Sequence, residues 1–101
     1  MASKDAEYLR EAIISIYSSS ILFYTQMGDV PWSIEELESN GLIDLSPLIK
    51  KNWEFELDLA FFEYGFETGH IYARSKYDIQ DRSNVEIIFY IETEEFEINE
   101  N

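Results

Sequence analysis

The sequence predicts an α+β domain, a long N-terminal helix packed on a three- to four-stranded antiparallel sheet. Two observations carry that prediction, and both lie in a change of apolar period halfway along the chain. From Asp5 to Met27 there is no Gly or Pro, and Leu9, Ile13, Ile16, Tyr17, Phe23, Tyr24 and Met27 recur near helical spacing. From Trp53 onward the pattern alternates residue by residue, as a strand with one buried face requires. A third observation sets the scale. The 101 residues allow one compact domain, spanning 1–101, and 46% hydrophobic residues are too many for a disordered chain.

The first helix is expected over Asp5–Met27. Ser3 can cap it, Asp5 and Glu7 oppose the helix dipole in its first turn, and Gly28 supplies a left-handed stop. Ile14 and Ile21 lie off its main apolar stripe, and a helix apolar on more than one side has more than one neighbour. Met1-Ala2-Ser3 is compatible with a cloning remnant, with anything upstream removed. Ser33 and Glu36 have capping-box spacing, so a short helix is predicted over Ile34–Ser39, ended by Asn40-Gly41. Ser46-Pro47 marks a loop, leaving Leu42 to Asn52 mostly irregular.

In the first strand Trp53, Phe55, Leu57, Leu59 and Phe61 share one face, with Glu54, Glu56 and Asp58 on the other. Gly65 and Gly69 bracket a turn. A second strand, Ile71–Tyr77, sets Ile71, Ala73, Ser75 and Tyr77 against Tyr72, Arg74 and Lys76. After the polar turn Asp78–Asn84, Val85, Ile87, Phe89 and Ile91 alternate with Glu86, Ile88, Tyr90 and Glu92, and Phe96 and Ile98 suggest a short fourth strand. A meander puts the Arg74/Lys76 strand between its acidic neighbours, so that opposite rather than like charges face each other.

Composition limits function. With 21 acidic and 7 basic side chains the net charge is −14, which repels nucleic acid and anionic membranes. The absence of Cys removes disulfides, thiolate nucleophiles and thiolate zinc sites, and one His leaves His-based metal sites and triads undersupplied. His70 reads as a surface or strand-end residue. No apolar run reaches the length of a membrane helix, and the polar start lacks the apolar core of a signal peptide. The expectation is therefore a non-enzymatic protein of binding or assembly, with no catalytic residue. Ile88 and Tyr90 point outward on an otherwise charged sheet face, which makes them, with Ile14 and Ile21, the candidate subunit or partner contacts. Asp78, Asp81 and Asn84 place oxygen ligands close together in one turn. Their spacing fits no EF-hand, and hydrogen-bonded turn residues explain them better, so no metal or cofactor is expected from the residues themselves.

The helix end Ile21-Leu22-Phe23-Tyr24-Thr25-Gln26-Met27-Gly28 runs into Asp29-Val30-Pro31-Trp32-Ser33-Ile34-Glu35-Glu36-Leu37. Asn40-Gly41-Leu42 and a Trp53-Glu54-Phe55 strand follow. This order resembles the soluble domain of type IV pilins and type II secretion pseudopilins. In that family an aromatic near the helix end precedes Gly, Pro, a capping Ser or Thr, an acidic pair with Leu, and a later Gly. The sharper likeness covers Tyr24 to Gly41.

The resemblance implies a structural subunit whose upstream hydrophobic half-helix, cleaved by a prepilin peptidase and bearing Glu at the fifth mature position, is missing here. It implies homologous pilin subunits as partners, a bacterial cell-envelope location passing from inner membrane to filament, and a monomeric soluble domain. Major pseudopilins often hold calcium in a C-terminal loop, so it also implies calcium at Asp78, Asp81 and Asn84. The family's C-terminal Cys pair is absent, as in many pseudopilins. The alternative is an acidic inhibitor or immunity protein that binds a basic partner such as a nuclease toxin, with Tyr90, Glu86 and Glu92 at its contact.

Overall fold

The computed structural model describes residues 3–61, 67–75 and 85–100. Helix α1, Ser3–Met27, takes in Ser3 as its first residue rather than as a cap ahead of it. At ~1.5 Å per residue it runs nearly 40 Å, close to the molecule's longest dimension of 45 Å. It stops at Gly28, whose φ of 78° is the left-handed conformation expected there and whose amide donates to the Tyr24 carbonyl at 2.8 Å.

Helix α2, Ile34–Ser39, begins at the expected cap, with the Glu36 amide donating to Ser33 Oγ at 3.3 Å. The Glu36 carboxylate reaches one residue further back than a standard capping box and accepts from the Trp32 amide at 2.6 Å. Its other end is a Schellman turn. The Gly41 amide donates to the Glu38 carbonyl and the Leu42 amide to the Leu37 carbonyl, both at 3.0 Å, with Gly41 at φ 70°.

The segment expected to be irregular contains a third helix, α3, Pro47–Asn52. The Ser46 side chain accepts from the Leu48 amide at 3.2 Å, Pro47 occupies the first turn where its missing N–H costs nothing, and Lys50 and Lys51 sit in the last turn.

Among the described residues there are four strands, β1 (Trp53–Phe61), β2 (Glu67–Ser75), β3 (Val85–Tyr90) and β4 (Glu95–Glu100), an antiparallel sheet in the order β1-β2-β3-β4. The α+β class and the meander follow the sequence reading, but β2 begins earlier than expected. Gly69 is not in a turn. It lies inside β2 opposite Leu59, with φ 108° and with the Asp58 carbonyl oxygen where a β-carbon would go. Tyr77 and Lys76 fall outside the described residues.

Arg74 faces Glu54 on one side and Glu86 on the other, and no rung of the three described ladders sets two acids directly opposite. The core lies between α1 and the inner sheet face. Leu9, Ala12, Ile13, Ile16 and Phe23 of the helix meet Leu59, Ile71, Ala73, Ile87, Phe89 and Ile91. Tyr17, Phe89 and Phe96 stack in sequence at centroid distances of 5.5 and 4.8 Å. The expected fourth strand seals the far side with Phe96 and Ile98.

Candidate functional site

The 100° step of a helix divides α1 into two faces. The side toward the sheet carries the core residues and two buried serines. Ser19 Oγ donates to the Leu42 carbonyl at 2.8 Å, tying α1 to the end of α2, and Ser20 Oγ donates to the Ile16 carbonyl at 2.7 Å. The tri-serine segment is therefore mostly packing, and only Ser18 is exposed.

On the far side Ile14, Ser18, Ile21 and Thr25 fall within one narrow arc, with Ser15 and Leu22 beside it. Ile14 is 42% and Leu22 49% exposed, while Ile21 is half-buried. Thr25 Oγ1 donates to the Ile21 carbonyl at 2.9 Å, so its hydroxyl is satisfied within the helix. From Ala12 to Met27 there is no charged side chain, in a chain of which 28% is charged. An acidic domain thus carries a solvent-facing strip about three turns long with neither sign on it. Depletion of charge together with exposed aliphatics makes this strip a candidate contact surface. Leu22, Ser18 and Thr25 belong to this strip although only Ile14 and Ile21 were expected from sequence. The uncharged run itself was the signal that would have found them.

Two further large apolar side chains are exposed at and beyond the helix end, outside the strip's arc in the case of Met27. Met27 is exposed, and Trp32 stands 78% exposed in the connection to α2. Pro31 between them is buried, and the Val30 amide donates to its neighbour Asp29 Oδ1 at 2.8 Å, which fixes the turn that presents the indole.

Ile88 and Tyr90 lie elsewhere, on the outer face of the sheet, with the sheet itself between them and α1. The structure does not bring the two pairs together. Ile88 does face outward, but its expected exposure is corrected: it is 6% exposed and sits outside the main core cluster. Tyr72 and Glu97 are its partners in register on either side. Side chains on a pleated face cover one another, so an outward apolar residue between an aromatic and a long acid is buried without a second layer.

Tyr90 is 38% exposed and its hydroxyl donates to Glu97 Oε1 at 2.8 Å, while Asn99 Nδ2 donates to Glu97 Oε2 at 3.0 Å. The hydrogen bonds from Asn99 and Tyr90 hold the Glu97 carboxyl below its ordinary pKa, and the same bond to Glu97 pushes the Tyr90 phenol up. Elsewhere on this face Arg74 Nε lies 3.8 Å from Glu54, and His70 Nε2 lies 3.5 Å from Asp58. The His70 ring meets Tyr72 edge-on at 4.8 Å, a surface position within a strand.

Among the described residues no group of three acid or His side chains stands close enough to hold a metal ion, and no helix is long and apolar enough to cross a membrane. The calcium candidates Asp78, Asp81 and Asn84 lie outside the described residues. Compared with known proteins, the chain matches no family model, no curated protein and no solved structure.

Proposed function

We propose that the chain is the soluble domain of a non-catalytic structural subunit of pilin type, belonging to a type IV pilus or a type II secretion pseudopilus. One observation carries this reading: the uncharged, exposed strip on the spine helix of an otherwise strongly acidic domain. Copies that each carry −14 repel one another, so association has to bury a surface free of charge and keep the acidic faces apart. The Ile14–Thr25 strip is such a surface, and α1 offers it on the side turned away from the sheet. An upstream apolar extension of α1 would anchor the subunit in the inner membrane and then pack in the filament core. The strip would meet neighbouring subunits, and the sheet would form the outer wall.

Sequencing the native reading frame tests this. An apolar helix continuous with α1, preceded by a prepilin-peptidase site and bearing Glu at the fifth mature position, supports the proposal. A native start without such a helix overturns it.

A second reading, an acidic inhibitor of a basic partner such as a nuclease toxin, has its own support. Glu54, Glu56, Asp58, Glu86, Glu95 and Glu97 share the sheet's outer face with Tyr90. Tight, salt-sensitive binding of a basic nuclease, lost on Tyr90→Ala, would favour it over the first.

A further inference from the structure

The sheet has two edges, and they are unlike. Among the described residues β1 pairs only with β2, so alternate N–H and C=O groups along its nine residues face outward from the ladder. Edges of this length are normally blunted or occupied.

Three further observations say what would occupy this one. A cleft of about 490 Å³ lies along the first half of β1, with Trp53 and Phe55 in its wall, Ile34 and Lys50 on the helical side, and Tyr72 and Arg74 on the sheet side. Trp53, Phe55 and Leu57 are only half-buried, whereas the equivalent inner-face residues of the central strands, Ile71, Ala73, Ile87 and Phe89, are fully buried, so the apolar layer ends in an open ledge. Along the outer face of the same edge stand Glu54, Glu56 and Asp58. Their neighbours across the ladder are Arg74, Tyr72 and His70, so Arg74 lies beside Glu54 and His70 beside Asp58, while Glu56 faces a tyrosine.

We infer that β1 is a docking edge for an extended peptide segment of a partner, in which basic side chains alternate with apolar ones. Such a segment adds as a fifth strand. Its main chain pairs with the open groups of β1, its apolar side chains extend the ledge beside Trp53, Phe55 and Leu57, and its basic side chains come opposite Glu54, Glu56 and Asp58. A second copy of this chain does not fit the site. Its own edges are β1 and β4, whose outward-facing acids Glu95 and Glu97 would be set against those of β1. The shorter β4 edge is the weaker candidate, because the Glu97 carboxylate there is already held by Tyr90 and Asn99. The inference does not rest on the assembly role of α1, which uses another face.

The probe is an end-blocked seven-residue peptide of alternating Lys and Val, compared with its Glu/Val counterpart, with a block-ordered isomer of the same composition, and with a version N-methylated at alternate residues. Binding is followed by amide hydrogen exchange and by Trp53 fluorescence in a Trp32→Phe background, where Trp53 is the remaining tryptophan. The alternating basic peptide should slow exchange of amides between Glu54 and Asp58 and shift the Trp53 emission, and the other three peptides should not. Glu56→Lys, a surface change that leaves the fold alone, should weaken the binding by about two- to fivefold. Equal binding of the block-ordered or N-methylated peptide would overturn the inference, as would protection appearing on α1 or β4 instead of β1, or no binding at all.

Discussion

Replacing Gly69 by alanine should be the most damaging glycine substitution among those the structure describes. An alanine β-carbon there would overlap the Asp58 carbonyl oxygen and lie 3.1 Å from Leu59 Cα, both backbone atoms that no rotamer change can move. The residue also holds φ 108°, where L side chains are strained. Its carbonyl accepts from the Ile91 amide at 3.0 Å, the bond that carries the ladder past the end of β3, so the strand cannot shift freely to relieve the clash. Backbone strain of about 1–3 kcal/mol and the loss of one or two ladder hydrogen bonds at about 1 kcal/mol each sum to ~2–5 kcal/mol.

For a domain of this size stability is of order 5–15 kcal/mol. With a urea m-value of about 1.5 kcal/mol per molar, the midpoint should fall by ~1–3 M. Gly41→Ala is the internal control. Gly41 has φ 70° but open space around it, so only the left-handed penalty of about 1–2 kcal/mol applies. Equilibrium urea unfolding followed by far-UV circular dichroism measures both. If Gly69→Ala costs no more than Gly41→Ala, Gly69 does not lie against Asp58 and the β1–β2 register is wrong.

Adjacent isoleucines on α1 should behave oppositely. Ile13→Ala, in a fully buried position, should cost about 2–5 kcal/mol in urea unfolding, and Ile14→Ala less than about 0.5 kcal/mol; equal costs would mean that α1 is rotated on the sheet. Ser33→Ala removes the oxygen that accepts the Glu36 amide and should cost ~1 kcal/mol by the same measurement, with no change refuting the cap. Because the Glu97 carboxyl is held below its ordinary 4.5, its stabilising contribution is present above that value and fades as pH falls through the lower folded one. Tyr90→Phe removes one of its two donors, so carboxyl NMR titration should find Glu97 nearer 4.5; an unchanged titration would show that Tyr90 does not reach it.

Much of the fold was legible because its strongest signals are periodic. The alternation from Trp53 to Phe61 is β1, and the placement of Arg74 among acids identified β2 as an inner strand before any pairing was known. The failures share a cause, which is that local residue identity is ambiguous until a partner is present. Ser46-Pro47 is a loop signal unless a helix follows, and then the same two residues are its cap and first turn. Gly69 sits in Glu67-Thr68-Gly69-His70, which has no apolar alternation. Its strand conformation is imposed by the length of β1 opposite it.

Alternation puts Ile88 on the outer face, but its burial depends on having Tyr72 and Glu97 beside it, and alternation says nothing about register. The helix strip was readable in full. Apolar positions off the main stripe mark Ile14 and Ile21. The absence of charge from Ala12 to Met27 marks Ser18, Leu22 and Thr25 as well.

The strip is tested most directly by photo-crosslinking in the cell that carries the gene, with benzophenone-phenylalanine placed at position 22 in the complete reading frame and, as control, at position 92. Leu22 lies on the strip, and Glu92 is exposed in the β3–β4 turn. Irradiation should give products at multiples of the chain's own mass from position 22 and only uncrosslinked chain from position 92. Chain-to-chain products from position 92, with position 22 giving none, would place the contact on the sheet and contradict a subunit assembled through α1.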